Sequence, residues 1–144
     1  MHKSEDLAYT AGLIDGEGCI QIARHNNQKT VDGHPRYVLM IRFNMVSAGI
    51  LKWLCETYGG SFFPGKKPRN ENWRQQWIWS LANRGGEDFL VLLLPYLRIK
   101  KAEAEVALEF RKTLLTDHHS KVTSELAEER EDMYWKLRLL KREA

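Results

Sequence analysis

The 144-residue sequence has no long hydrophobic run and little cysteine. Its longest uninterrupted apolar stretch, FLVLLL, has six residues, far short of the ~20 that a membrane-spanning helix needs. The first ten residues lack the basic-then-apolar layout of a secretion signal. The two cysteines, Cys19 and Cys55, have neither metal-ligand nor redox spacing, so we expect free thiols in a reducing compartment. These absences favour an intracellular protein that does not enter a membrane.

Positive charge is concentrated in the middle of the chain, although the net charge is only +3. Residues 18–85 hold ten Lys and Arg against three Asp and Glu, a net of +7, whereas residues 86–144 have a net charge of −1. A basic segment on a near-neutral scaffold is typical of a nucleic-acid-binding face. Lys and Arg also solvate ordinary surfaces, so charge alone leaves both interpretations open.

Hydrophobic periodicity predicts the element order α-β-β-α-β-β-α, with extra helix at the end. Helices are predicted over about 4–15, 48–58, 85–95, 100–115 and 123–144. Alternating residues predict strands over 19–25, 36–45, 61–65 and 73–83. Because each strand has one apolar face, we expect an α+β fold in which helices cover one side of a four-stranded sheet. We expect residues 1–117 to form the core of one domain and residues 118–144 to be a helical extension of it.

The uncovered side of the predicted sheet, which we call the polar face, would carry groups that suit base edges and phosphates. Its strand residues are Gln21, Ala23, His25, Arg36, Val38, Met40, Arg42, Asn44, Arg74, Gln76, Ile78 and Ser80. Two polar connections add Asn27, Lys29, Lys66, Lys67 and Arg69. The last three suit phosphate contacts that give affinity and salt dependence. An antiparallel sheet facing water is also polar, so this pattern supports nucleic-acid binding without deciding it.

The stretch AYTAGLIDGEG, residues 8–18, predicts a helix with one face of small side chains. Ala8, Gly12 and Gly16 lie four residues apart and form what we call the small-residue stripe, along which another helix could approach closely. It is flanked by Ala11 and Asp15. A helix packed tightly within its own domain would carry the same stripe, so this feature alone does not show what packs against it.

The same helix is predicted to end in two acids, Asp15 and Glu17, where the helix dipole disfavours negative charge. If the stripe packs against a copy of itself, four carboxylates converge, and they repel one another unless a cation is bound. Hard oxygen ligands suit Mg²⁺. A calcium loop of the EF-hand type is disfavoured, because Cys19 stands where a third oxygen ligand should be and the closing Glu is absent.

The sequence TAGLIDGEG, residues 10–18, resembles the signature of the LAGLIDADG homing endonucleases at six of nine positions. Thr10 replaces the first Leu, Gly16 the second Ala, and Glu17 the second Asp of that signature. A second block, LPYLRIKKAEAEVALEF at 94–110, is similar to the family's Pro-aromatic-Leu-basic-x-Lys run entering a helix. The resemblance implies an αββαββα fold with a four-stranded antiparallel, saddle-shaped sheet that enters the DNA major groove, here with an added C-terminal helix.

The resemblance also implies a site-specific DNA endonuclease that makes a double-strand break by metal-dependent phosphodiester hydrolysis. Glu17 would be a catalytic residue and a metal ligand. Gly16 and Asp15 would bind the same ion, Mg²⁺ or Mn²⁺. Lys100 would polarise the water network or the scissile phosphate. Ser47 is the nearest candidate for the polar residue that follows the family's second strand.

One copy of the signature supplies half a site, so the resemblance implies a homodimer and a long, pseudo-palindromic DNA target. The interface residues would be Ala8, Ala11, Gly12 and Asp15. No small-molecule cofactor is expected. The resemblance also implies an intron-encoded protein in the cytoplasm of a bacterial or phage-infected cell, or in an organelle.

Two other interpretations stay open. The first is a non-cleaving nucleic-acid binder on the same scaffold, either an RNA maturase or a DNA-binding regulator. The second is a small structural or interaction domain with an accidental motif match. The presence of Glu17 and Lys100 argues against pure binding, because a carboxylate cluster without metal repels phosphate. The +7 segment and the second block argue against an accidental match.

Overall fold

The computed structural model describes residues 2–29, 33–114 and 122–143, and the fold is given for these ranges. The helices are α1 (Ser4–Glu17), α2 (Ala48–Tyr58), α3 (Asn83–Leu93), α4 (Lys101–Leu114) and α5 (Ser124–Glu143), with a 3-10 turn at Leu94–Tyr96. The strands are β1 (Gly18–Lys29), β2 (Pro35–Met45), β3 (Ser61–Pro64) and β4 (Trp77–Ala82). Within these ranges no helix is both long and apolar enough to cross a bilayer.

The strands form a single antiparallel sheet in the order β1-β2-β4-β3. Ile41, in the middle of β2, is paired with Ile20 of β1 on one side and Leu81 of β4 on the other. The register is irregular between His25 and Lys29, near the far end of β1. The predicted α+β class, the four-stranded antiparallel sheet and the final helix are therefore confirmed.

Side chains alternate between the two faces of the sheet. On β2, the side chains of Tyr37, Leu39, Ile41 and Phe43 are buried, and those between them are only half-buried. The buried face packs against apolar residues from all five helices, which form one hydrophobic cluster with it. All helices thus cover the same side of the sheet, and burial of this apolar surface is the main stabilising contribution to the fold.

Helix α5 belongs to the same core. Leu137 is almost completely buried within it, and Glu131 pairs with Arg24 of β1 and accepts a hydrogen bond from the Tyr37 hydroxyl. The buried Arg130 guanidinium donates to the Thr113 carbonyl at 3.0 Å, and burial lowers the pKa of that guanidinium. The predicted boundary between residues 117 and 118 lies outside the described residues.

One strand is shorter than its sequence pattern predicts. β4 begins at Trp77 instead of residue 73, so Arg74 and Gln76 lie in the connection 65–76, which we call the basic loop. Local hydrogen bonds explain the difference: the Asn70 carbonyl accepts from the Trp73 amide at 3.0 Å, and the Gln75 side chain donates to the Gly65 carbonyl at 3.1 Å. Such local bonds compete with a strand ladder.

Candidate active site and nucleic-acid interface

The C-terminal end of α1 is held by the segment that precedes α4. The Lys100 ammonium donates to the Ile14 carbonyl at 2.9 Å and to the Asp15 carbonyl at 3.1 Å. The Gly18 amide also donates to the Ile14 carbonyl. The last carbonyls of a helix lack helical partners and carry the negative end of its dipole, so an ammonium group here is favourable. This arrangement explains why α1 continues through Gly16 to Glu17, two residues beyond the predicted end.

Asp15 anchors the same segment from the other direction. One carboxylate oxygen accepts from the Lys100 amide and the other from the Arg98 amide, each at 2.9 Å. The Lys100 carbonyl in turn accepts from the Ala104 amide at 2.9 Å, which places Lys100 at the N-cap position immediately before α4. The structure therefore gives Asp15 a positioning contact that fixes Lys100 beside α1. Its predicted part in metal binding stays a prediction.

Glu17 differs from Asp15, although it lies only two residues further along. It is the last residue of α1, it is exposed, and its carboxylate has no hydrogen bond or ion pair among the described residues. An unpaired carboxylate is a hard oxygen donor that suits Mg²⁺. In the part of the chain that the structure describes, no three His, Cys, Asp or Glu side chains are close enough to hold a metal ion. The prediction that Glu17 is a metal ligand therefore stays a prediction.

Ser47 lies at the same end of the sheet. It precedes α2 at the N-cap position, is exposed, and makes no side-chain capping bond. Gly18 is paired with Phe43 in the β1–β2 register, so the chain leaving β2 passes the end of α1. The structure thus places the Lys100 ammonium against the last turn of α1, which ends in Glu17. Ser47 lies at the same edge, and its hydroxyl has no partner among the described residues.

The small-residue stripe lies on the outside of the protomer. Ala8, Gly12 and Gly16 are exposed, and a Cβ atom built on either glycine would meet nothing within 4 Å. Ala11 is different: it is fully buried with Leu7 against the chain's own core. The predicted interface is corrected at this position, because Ala11 follows Leu7 by four residues and shares its inner face. The predictions for Ala8, Gly12 and Asp15 at an interface stay predictions.

The polar face is open, as predicted for its strand residues. Arg42 lies between Cys19 of β1 and Ser80 of β4 in the strand register. Its Nε atom is buried and has no hydrogen-bond partner among the described residues. A buried donor without a partner costs roughly 1–3 kcal/mol, so a ligand that accepts from it would relieve that cost. The remaining strand positions on this open face are Gln21, Ala23, His25, Arg36, Val38, Met40, Asn44 and Ile78.

A groove of about 880 Å³ lies between the end of β2 and the basic loop. Its lining includes Asn44 and the predicted DNA-binding residues of the loop, which are Lys66, Lys67, Arg69, Arg74 and Gln76. Arg74 and Gln76 thus stay beside the polar face despite lying outside β4. Trp73, which is 61% exposed, also lines the groove. Lys29 is exposed at the far end of β1, and the predicted contact of Asn27 falls on a side chain outside the described part of the structure.

Helix α5 reaches this site by a contact that sequence reasoning missed. The Lys141 ammonium donates to the Cys19 sulfur at 3.4 Å, across 122 positions of sequence. Cys19 lies two residues after Glu17 and next to Arg42 in the strand register. No spacing rule connects residues so far apart, so only the fold reveals this neighbour.

Comparisons with known proteins give a clear result for the fold. No protein-family model and no curated protein sequence matches the chain. Solved structures do match: the homing endonuclease I-CvuI in complex with a DNA target has a TM-score of 0.76 and 21% identity, over 94% of this chain and 82% of I-CvuI. The archaeal intron-encoded homing endonuclease I-Vdi141I, complexed with DNA, has a TM-score of 0.77 and 15% identity, over 96% and 86%.

The LAGLIDADG homing endonuclease I-SmaMI bound to cleaved DNA matches with a TM-score of 0.72 and 13% identity. That match covers 93% of this chain but 45% of I-SmaMI, so one copy of this chain spans slightly less than half of that protein. The chain therefore has the LAGLIDADG homing endonuclease fold.

Proposed function

We propose that this chain is a site-specific DNA endonuclease that hydrolyses both strands of a long, pseudo-palindromic duplex with Mg²⁺ or Mn²⁺. One observation carries the proposal: the exposed Glu17 carboxylate, which has no partner among the described residues, lies at the end of α1, where the Lys100 ammonium is held by two helix carbonyls. A free carboxylate beside a basic surface repels phosphate unless a cation lies between them. Catalysis with a divalent ion explains this combination better than binding alone.

The working form in this proposal is a homodimer with its twofold axis beside α1. Gly12, in the middle of the helix, costs about 1 kcal/mol relative to alanine. Nothing in its own protomer requires it, because its missing Cβ atom would meet open space. A second copy packed along the small-residue stripe would give the glycine a steric reason and would bring two Glu17 carboxylates together. The match to less than half of I-SmaMI supports two copies in one assembly.

Two groups of each copy would hold the divalent ion in this proposal, the Glu17 carboxylate and the Gly16 carbonyl. When bound, such an ion lowers the pKa of its water and stabilises the leaving 3′ oxygen. Lys100 has three N–H donors, of which two are used by helix carbonyls. The third can bond to the attacking water or to the scissile phosphate. The Ser47 hydroxyl can orient a neighbouring water from the same edge.

DNA would lie across the polar face and the basic loop. Gln21 and Asn44 can donate to or accept from base edges in the major groove, and Arg42 can donate to them. Lys66, Lys67 and Arg69 surround the groove beside the loop and suit phosphate contacts, which supply affinity and salt dependence. Sequence would therefore be read by the strands, and most of the electrostatic attraction would come from the loop.

A cleavage selection tests the proposal. The purified chain is incubated with a library of randomised duplexes in Mg²⁺ or Mn²⁺, and cut molecules are sequenced. We expect one family of cut sites with approximate twofold symmetry, and no cutting in Ca²⁺ or with a chelator. Tight duplex binding without any cut sequence would contradict the proposal. The intron-encoded origin is checked separately by whether the reading frame lies inside an intron.

One observation favours a second candidate, a non-cleaving nucleic-acid binder. Asp15 is committed to the Arg98 and Lys100 amides, which leaves Glu17 as the free carboxylate at this edge. If the chain stays monomeric on DNA, a single carboxylate is a poor metal site and the polar face would serve recognition alone. The same selection decides between the two candidates, because a binder enriches bound sequences and leaves them intact.

A further inference from the structure

Trp73, in the basic loop, is a large aromatic residue that the fold of this chain does not explain. Its side chain is 61% exposed, and its indole ring has no ring, cation–π or hydrogen-bond partner among the described residues. Each of the other four tryptophans packs against at least one aromatic ring, as Trp79 does against Phe43. Trp73 therefore contributes little to the hydrophobic core.

Three further apolar side chains lie near Trp73 on the open side of the sheet. Val46, which is 46% exposed, and Ile78 line the same groove as Trp73. Phe63, which is 38% exposed, is paired with Ile78 in the β3–β4 register and so shares its face. We call these four residues the apolar patch. Single exposed apolar residues are ordinary, but a group of them rimmed by polar residues is typical of a binding site.

The loop that carries Trp73 is held in place by hydrogen bonds between its two ends. The Gly65 amide donates to the Gln76 carbonyl at 2.8 Å, and the Gln75 side chain donates to the Gly65 carbonyl at 3.1 Å. Nearer the tip, the Trp73 amide donates to the Asn70 carbonyl at 3.0 Å. The loop backbone is thus ordered without a ligand, and a ligand that binds there loses less free energy to ordering.

The charge around the apolar patch identifies the kind of ligand. Residues 65–76 contain four basic residues and one acid, Glu71. All four basic residues line the groove, and they are Lys66, Lys67, Arg69 and Arg74. Such a concentration of positive charge attracts a polyanion and gives no advantage to a neutral apolar partner. Beside the polar face, the ligand that fits best is duplex DNA.

The chemistry of the major groove identifies which part of the DNA suits the apolar patch. Base edges there carry hydrogen-bond donors and acceptors and a single kind of apolar group, the C5-methyl group of thymine. Asn44 and Gln76 line the same groove, and their amide side chains match the N6 and N7 atoms of adenine. The groove therefore offers suitable groups for both bases of a T·A pair.

We propose that the apolar patch is a thymine-recognition site, in which Trp73, Val46 and Ile78 contact the methyl group of one thymine. The amide of Asn44 or Gln76 binds the adenine paired with that thymine. The inference rests on the proposed function for its ligand, duplex DNA, but it does not require cleavage. It makes the basic loop a source of sequence specificity as well as of electrostatic attraction.

The test removes single methyl groups from the DNA. A selection for bound duplexes in Ca²⁺ first identifies the preferred sequence, and each thymidine in it is then replaced, one at a time, by deoxyuridine. At one or more positions we expect the wild-type Kd to rise about fourfold, the loss that follows from exposing one buried methyl group. For Trp73→Ala the same replacement should leave the Kd unchanged, because the contact is already missing.

Two control variants separate methyl recognition from other effects. Lys67→Ala, in the same loop, should weaken binding of the thymidine and deoxyuridine duplexes by the same factor and so keep their ratio. Trp73→Phe should keep part of the discrimination, because it retains an aromatic ring. The melting temperature of Trp73→Ala should equal that of the wild type, since the ring is exposed and without a partner among the described residues.

A wild type that is insensitive to every deoxyuridine replacement would overturn the proposal, and so would equal sensitivity in Trp73→Ala. Equal weakening on both duplexes by Trp73→Ala would also refute it, because the ring would then contact DNA in another way, such as stacking on a base.

The outcomes for recognition and cleavage are distinguishable. If the wild type cuts no duplex but Trp73→Ala loses the methyl discrimination, the proposed endonuclease fails and thymine recognition stands. If the wild type cuts DNA and no replacement changes its Kd, the proposed function stands and thymine recognition fails.

Discussion

The two sides of α1 differ in burial: the inner side packs against the rest of this chain, and the outer side is exposed. On the inner side, Leu7, Ala11 and Ile14 are buried in the core, and the Thr10 hydroxyl donates to the Asp6 carbonyl at 2.7 Å. On the outer side, the small-residue stripe is exposed, and a Cβ atom built on either of its glycines would meet nothing within 4 Å among the described residues. The chain's own fold thus explains one face of this helix, and the other face is the one that we propose packs against a second copy.

The two acids at the end of α1 repeat this difference. Both oxygens of Asp15 accept backbone amides of the segment before α4, whereas Glu17 has no partner among the described residues. Asp15 is thus paired by hydrogen bonds that join α1 to the segment before α4. Glu17 is the acid that we assign to function, with a metal ion as its proposed partner.

The largest effect should come from Glu17→Gln. We expect cleavage of the selected duplex to fall by roughly a hundred- to a thousandfold, because a charged ligand at the point of developing negative charge is lost. Binding of the same duplex should persist or tighten, since one negative charge near phosphate is removed. A gel assay of cleavage in Mg²⁺, with binding measured in Ca²⁺, checks both. Full cutting by this variant would remove Glu17 from the active site.

Gly12→Leu tests the outer side of α1. A leucine there should block close approach of a second helix and leave the chain monomeric in sedimentation, with its fold intact because the protomer offers open space at this position. Gly49→Leu is the matched control, because Gly49 is also an exposed helical glycine that faces open space, on α2. A dimer that survives Gly12→Leu would place the interface elsewhere.

Asp15→Ala tests whether the hydrogen bonds of Asp15 stabilise the fold. It leaves the Arg98 and Lys100 amides without their acceptor, so we expect the free energy of unfolding in urea to fall by about 1–2 kcal/mol. Glu17→Ala is the control and should change that free energy by less than about 0.5 kcal/mol. Equal losses in the two variants would erase the distinction between the acids.

The smallest effect should come from Lys67→Ala in the basic loop. Removing one phosphate contact should reduce the slope of log Kd against log salt concentration by about 1, with similar loss on all duplex sequences. Lys112→Ala, on the helical side of the molecule, should leave the slope unchanged. A slope that responds equally to both variants would mean that the basic loop has no special place in DNA binding.

The sequence was most informative where one physical rule dominates. Strand β2 was predicted within one residue, because alternate burial of Tyr37, Leu39, Ile41 and Phe43 produces a strict period of two. The order of helices and strands followed for the same reason. The predicted β4 begins four residues too early, because hydrogen bonds of Asn70 and Gln75 hold residues 73–76 in a loop. The alternation of apolar residues does not reveal these bonds.

The candidate site was less accessible from sequence alone. Resemblance to a family assigns Glu17 and Lys100 to one site, and the structure shows that the Lys100 ammonium binds two carbonyls in the last turn of α1. Three other features depend on how distant elements pack. They are the hydrogen bonds of Asp15, the burial of Glu103 and the contact between Lys141 and Cys19. Such contacts leave no local pattern to read.

The most direct test of the two-copy active site is the number of chains on one DNA duplex. The mass of the complex with the selected duplex in Ca²⁺, measured by sedimentation equilibrium, should correspond to two chains per duplex, and Mg²⁺ should then trigger cutting of both strands. If one chain per duplex is bound and both strands are still cut, the result would contradict an active site built from two Glu17 carboxylates.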